Sequence, residues 1–227
     1  MTWRVALQAL LANVSAMYAV YHGPEGLRQI AEKVHGLARV VKNAVEKLGH
    51  KVVNETFFDS LTIRLSGTAA SLVHESAVKA GLNLRQVDDH HVAVTFDESH
   101  SLEDIVDLLN VFVSNQKGPR RTSQIQPYTT ESLVDFADSL DIPAPRATRS
   151  SLGELSSGDS IPAIESPAIP SKLARTSPFL TQPIWNSHHS ETDIIRYMHY
   201  LQDKDLSLVH APMYVETCLS LSARAVR

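Results

Sequence analysis

The sequence predicts a mixed α/β (α+β) fold, with helices covering one face of a small antiparallel or mixed sheet. Three patterns predict it. Apolar residues recur at helical spacing from Val5 to Leu48, interrupted once by His22-Gly23-Pro24. From Phe57 the apolar period falls to two. Helix-start signatures of the form Ser-x-x-Asp then stand at Ser101/Asp104 and Ser190/Asp193. A chain that changes period in this way buries both kinds of apolar face by layering helices on a sheet.

Residues 5 to 21 read as a helix that is apolar on several sides, through Val5, Leu7, Leu10, Leu11, Val14, Met17, Tyr18 and Tyr21. A helix apolar all round is normally buried in a larger body, so a second covering face is expected. His22-Gly23-Pro24 breaks it, and Pro24 suits the first turn of the next helix. That helix runs to about Leu48 on a stripe of Leu27, Ile30, Val34, Leu37, Val41, Val45 and Leu48, with Gly49 as its left-handed cap. His35 lies beside the stripe with no second ligand at i+4, which reads as a packed helix histidine rather than a metal ligand.

Leu61, Ile63 and Leu65 alternate with Thr62 and Arg64, the pattern of a half-buried strand. Thr68 to Ala80 reads as a helix. Leu82, Leu84 and Val87 suggest a second strand, Asp88-Asp89-His90 a turn, and Val92, Val94 and Phe96 a third strand. Ser101 opens a helix whose apolar face is Ile105, Leu108, Leu109 and Phe112. Together these make residues 1–115 a small α/β subdomain: two long helices, then β-α-β-β-α.

Residues 116–171 differ in kind. Ser, Thr and Pro dominate and the apolar residues lack period, so a long, mostly disordered insertion or linker is expected. Within it, Thr130 to Leu140 could form a short amphipathic helix, weakly docked on the surface. Residues 172–210 then form a helix-containing connector. Its Ser190 hydroxyl is placed to take the Asp193 N–H, while the Asp193 carboxylate reaches back to the Ser190 N–H. Ile194, Ile195, Met198 and Leu201 make a stripe wide enough to face a core. Residues 211–227 form a divergent tail.

Composition narrows the function classes. The chain has 227 residues, 43% of them hydrophobic and 20% charged, which is ordinary for a soluble globular protein. A net charge of −4 argues against a nucleic-acid or anionic-membrane partner. The single cysteine, Cys218, leaves no internal disulfide framework and fits a reducing compartment. No stretch reaches the roughly 18 apolar residues that span a bilayer, and Met1 to Tyr21 lacks secretory-signal and mitochondrial-presequence patterns.

The histidines His188, His189, His199 and His210 with Glu191 invite a metal reading, but H-H-x-E is not a recurrent zinc spacing. Ser190, His189 and Glu191 are chain neighbours and no G-x-S-x-G elbow occurs, which argues against a hydrolase triad.

Several runs resemble one family in its own order: QALLANVSAMYAVYHGPEGL at 8–27, FFDSLTI at 57–63, RTSPFLT at 175–181, HSET at 189–192, RYM at 196–198 and KDLSLVH at 204–210. They resemble the pyridoxal-phosphate-dependent P protein of the glycine cleavage system, across most of the chain outside residues 116–171. The resemblance implies the small C-terminal subdomain of a fold-type-I PLP-dependent transferase-like half. It also implies glycine decarboxylation with transfer of the aminomethyl group to a lipoyl arm, pyridoxal phosphate as cofactor, and the lipoyl H protein and a P-protein catalytic half as partners. A mitochondrial location in eukaryotes goes with it, and a dimer is left open.

The family's pattern stops after His210. Relatives continue into a Gly-Ser-Cys-Thr-Met-Lys turn and a second PLP-binding half, so this chain is expected to be a partial member. PLP chemistry needs a Schiff-base lysine, an acidic partner for the pyridinium nitrogen and a phosphate turn. The family's lysine follows a histidine and precedes a Gly-rich loop. Here the His-Lys pair is His50-Lys51, with no glycine cluster behind it, so a solvated lysine is expected and no catalytic residue is assigned. By resemblance, Arg175, His189, Ser190 and Glu191 could instead serve a composite site at the junction of two halves. In the plainer reading Arg175 anchors packing and Ser190 caps a helix. A non-enzymatic module that pairs with a full-length relative, through the first helix and the 190–203 helix, is the alternative.

Overall fold

Helix α1 spans Trp3–Lys47 and is interrupted at Gly23, whose backbone is non-helical (φ 65°, ψ −178°). The computed structural model describes residues 3–115, 126–140 and 175–204. After α1 come β1 (Lys51–Val52), β2 (Ser60–Arg64), α2 (Ala70–Lys79), β3 (Arg85–Gln86), β4 (His91–Thr95) and α3 (Leu102–Ser114). Helix α4 (Thr130–Ser139), a 3₁₀ turn at Pro183–Asn186 and α5 (Glu191–Gln202) complete the described elements. The chain divides into two units, one of residues 28–177 and the other of residues 1–27 with 178–227.

In the 28–177 unit the strands form one antiparallel sheet in the order β1-β2-β4-β3. Ser60 faces Thr95, Leu61 faces Val94 and Ile63 faces Val92, so side chains separate by parity. Leu61, Ile63 and Val92 are buried on the inner face. The opposite face is polar, and the Ser60 and Thr95 hydroxyls hydrogen-bond there at 3.0 Å.

The expected helices cover the inner face. From α1 come Val34, Leu37, Ala38, Val41, Ala44 and Val45; from α2, Val73 and Ala77; from α3, Ile105, Leu108, Leu109 and Phe112, all in one continuous core. The C-terminal end of α1 is closed as its sequence requires. Gly49 turns left-handed (φ 89°), its N–H bonds the Glu46 carbonyl, and the His50 N–H reaches Val45. Helix α3 carries the expected reciprocal cap: Asp104 N–H donates to the Ser101 hydroxyl and Ser101 N–H donates to the Asp104 carboxylate at 2.7 Å. Those hydrogen bonds, Ser101's backbone N–H first, hold the Asp104 carboxyl below its ordinary range.

One strand is additional to those expected, and one expected strand needs correction. Strand β1 is too short to show a period, and its pairing with β2 defines it. The strand expected around Leu82–Val87 reduces to Arg85–Gln86, an edge strand, while Val87 already belongs to the turn and is about half exposed. That turn forms at Asp88-Asp89-His90 as expected. The Asp88 carboxylate accepts the backbone N–H groups of His90 and His91, both at 2.8 Å.

The reading of 116–171 as mostly disordered does not hold for 126–140, and the weakly docked helix expected at Thr130–Leu140 is instead part of the core. Leu133 is fully buried and Ala137 nearly so. Asn110 on α3 clamps the lead-in, donating to the Tyr128 carbonyl and accepting its N–H at 2.8 Å. Thr129 and Ser132 form a capping box, and Lys47 lies 3.8 Å over the Phe136 ring. Composition misled here because four apolar side chains on one helix face suffice for docking once α3 presents a matching surface. Residues 116–125 and 141–171 lie outside the described residues.

Two histidines are buried in this unit. His50 accepts the Ser66 N–H on Nδ1 at 3.1 Å, which places its proton on Nε2, a buried atom without a partner among the described residues. His35 donates from Nδ1 to the Phe58 carbonyl at 2.9 Å and stacks on the Phe58 ring. Burial lowers both pKa values; the Phe58 bond opposes the shift at His35 and nearby Arg39 adds to it.

Two outcomes follow. Leu133→Ala should cost about 2–5 kcal/mol by removing a buried side chain with little room to collapse, read as a lower urea midpoint. Stability should be full above the ordinary imidazole pKa of about 6.5 and fall as pH drops below it, because the unfolded state then binds protons that the folded state refuses. The loss should stop growing once pH passes below the lowered folded values. Urea midpoints from pH 7.5 to 5 measure this, and His50→Leu should flatten the slope; an unchanged slope would show that His50 does not contribute.

Candidate functional site

Three of the site residues expected from sequence, His189, Ser190 and Glu191, sit around the start of α5. Upstream, the chain is braced locally. Trp185 donates its indole N–H to Gln182 Oε1 at 3.0 Å and its backbone N–H to the Gln182 carbonyl at 3.1 Å. Asn186 donates to the Leu180 and Gln182 carbonyls at 3.1 and 3.2 Å, and the Ser187 hydroxyl donates to the Pro183 carbonyl. Leu180 takes a positive φ of 51°, which the Asn186 clamp on its carbonyl helps to hold. The result is a tight 3₁₀ turn with Pro183 in its first turn, where a missing N–H is harmless.

His188 and His189 have different roles. The His188 ring stacks on Tyr197 at 4.6 Å and 14°. His189 donates from Nδ1 to the Tyr21 carbonyl at 3.0 Å. A carbonyl can only accept, so the assignment of the proton to Nδ1 follows from the partner.

Ser190 caps α5 as expected on one side and departs from expectation on the other. Its hydroxyl accepts the Asp193 N–H at 3.1 Å, but the Asp193 carboxylate takes the Ser190 hydroxyl proton at 2.6 Å rather than the backbone N–H. The Ser190 N–H is not part of a capping box. Glu191 is exposed in the first turn, where a carboxylate suits the positive end of the helix dipole. Arg175 is exposed and lies in the 28–177 unit, with Nη1 donating to Ser177 Oγ at 3.4 Å.

An open depression of about 440 Å³ flanks α5, lined by Ile184, His188, Asp193, Arg196, Tyr197 and Tyr200. Arg196 and Asp193, one turn apart on α5, approach to 3.7 Å. Among the described residues no group of three or more His, Cys, Asp or Glu side chains could hold a metal ion, and His210 lies outside them. The α5 stripe expected to face a core does not: Ile195, Met198 and Leu201 are 52%, 49% and 38% exposed. The apolar face of the first half of α1 is also uncovered, with Leu10, Leu11 and Val14 at 57% or more. Periodicity located both stripes correctly, but it says nothing about what lies over them. No helix among the described residues is long and apolar enough to cross a membrane.

The family model described as the glycine cleavage system P-protein matches residues 5–112. The chain belongs to the glycine cleavage P-protein family. It is 40% identical over 212 residues to glycine dehydrogenase (decarboxylating) 1, mitochondrial, of Arabidopsis thaliana, covering 93% of this chain and 17% of that protein. The glycine dehydrogenase (decarboxylating), mitochondrial, of Pisum sativum is 39% identical over 211 residues, 93% of this chain and 16% of that protein. The glycine dehydrogenase (decarboxylating) of Paraburkholderia xenovorans is 36% identical over 211 residues, 93% of this chain and 18% of that protein. The chain thus spans under a fifth of the length of the relatives it matches.

The His50-Lys51 pair does not fit a covalently held aldehyde cofactor. The His-Lys pair falls at the sheet edge: His50 is buried, its Nδ1 on the Ser66 N–H, and Lys51 is exposed opposite Arg64 in the register. A Schiff-base lysine needs a desolvated amine beside a phosphate cradle, whereas Lys51 stands in water next to another cation.

Ser190→Ala removes the acceptor for the Asp193 N–H and should cost α5 about 0.5–2 kcal/mol. Faster amide exchange at Asp193 and Ile194, with the sheet amides unchanged, is the expected result.

Proposed function

We propose that this chain supplies the small subdomain and connector of a glycine cleavage P protein, contributing structure and partner contacts rather than holding the cofactor itself. The observations that carry this reading are the 40% identity to the Arabidopsis relative over 93% of this chain and a His-Lys pair unsuited to the cofactor. In this reading the reaction served is PLP-dependent decarboxylation of glycine, with the aminomethyl group passed to the lipoyl arm of the H protein. The cofactor resides on a catalytic half, and the location is mitochondrial in a eukaryotic cell. Residues 1–115 are then the small subdomain of a PLP transferase-like half. Arg175, His189, Ser190 and Glu191 then face the junction between halves.

Incubation with PLP, borohydride reduction and peptide mass mapping test this. The expected result is no phosphopyridoxyl group at any single lysine in stoichiometric yield; one lysine labelled to completion would overturn it.

A second reading, a non-enzymatic module that pairs with a full-length relative, is favoured by the exposed stripes Leu10/Leu11/Val14 and Ile195/Met198/Leu201. Exposed apolar faces of this kind mark association surfaces when contiguous. Size-exclusion chromatography with and without a full-length glycine dehydrogenase separates the two readings. Co-elution without PLP retention on this chain supports pairing, and a lone monomer under both conditions argues against it.

A further inference from the structure

The break in α1 and the turn before α5 meet at one point, and the meeting is specific in shape and in hydrogen bonding. Pro24 has no N–H, so the Val20 carbonyl loses its regular helical donor, and Gly23 turns out of the helix at φ 65°, ψ −178°. That combination is open essentially to glycine alone. It also leaves a notch without a side chain. A Cβ on Gly23 would lie 2.7 Å from His189 Cε1 and 2.8 Å from the Trp185 carbonyl oxygen, closer than real atoms approach. The His189 ring occupies this notch, and its Nδ1–H donates to the Tyr21 carbonyl at 3.0 Å.

His189 immediately precedes the cap of α5, and Trp185 sits in the 3₁₀ turn ahead of it. Two points of one short segment therefore rest on one glycine. Neither feature is explained by the helix cap, which Ser190 and Asp193 complete without His189.

We propose that residues 183–190 are a strap that closes on the break in α1, with Gly23 as the socket and His189 as the latch. Closure sets the point from which α5 begins and so how its exposed Ile195/Met198/Leu201 face is presented; opening releases the helix start. The proposal stands apart from the PLP question, since it concerns contacts within residues 1–27 and 178–227 alone.

Hydrogen–deuterium exchange on the full chain tests it. His189→Ala should speed exchange at Trp185 and Ile194 by about tenfold, the factor that loss of one hydrogen bond of ordinary net strength supplies. His189→Phe keeps a ring in the notch but lacks the donor, and should open the strap as well. Gly23→Ala should open it by steric means while leaving the β2 and β4 amides unchanged. Combined with His189→Ala, it should add little, because both act on one contact. Exchange at Trp185 and Ile194 within about twofold of the parent in His189→Ala would overturn the proposal. So would acceleration of the sheet amides to the same degree as the strap, which would make the contact part of global stability.

Discussion

The second half of α1 is the constraint on which the 28–177 unit depends. Ala38, Val41, Ala44 and Val45 are fully removed from water against the sheet and its neighbouring helices. Two of the four are alanines, so backbones can approach closely there, and small-to-large change has no room to be absorbed. Helices α2 and α3 complete the cover, and Asn110 together with Leu133 draws α4 onto the same core. A four-stranded sheet with two-residue edge strands is marginal alone, and the helical layer supplies the apolar burial it lacks.

Polar groups inside this core are placed with different degrees of satisfaction. The Asn110 amide serves both backbone groups of Tyr128, so its burial costs little net. His50 is satisfied on one ring nitrogen only, and that arrangement works because the neutral ring can place its single proton on the unpartnered side. The same asymmetry makes His50 poor company for a cofactor lysine at the next position. Its imidazole holds the loop after β2 through the Ser66 N–H.

The other unit is built on the opposite principle. Its helical stripes are exposed, and its specificity comes from backbone: a positive φ at Gly23, a proline that withholds a donor, and a histidine that reaches a carbonyl 168 residues away in sequence. Kinship with proteins of which the matched region is under a fifth gives these uncovered faces a rationale in the proposed function without altering their local geometry.

Much of the fold was legible in the chain because its periods are strong. The Val34–Leu48 stripe, the Leu61/Ile63 alternation and the Ser101/Asp104 cap depend on neighbours within a few residues, and those rules are local. The break at His22-Gly23-Pro24 was legible for the same reason. What only the tertiary structure decided involves partners distant in sequence: strand β1, defined by pairing; α4, docked by a surface that α3 provides; the exposure of the α5 stripe; and the His189–Tyr21 bond. Side-chain identity prescribes which faces are apolar and which residues can donate or accept. It does not prescribe which distant surface meets them, since that choice is made by burial and hydrogen bonding summed over the folded chain.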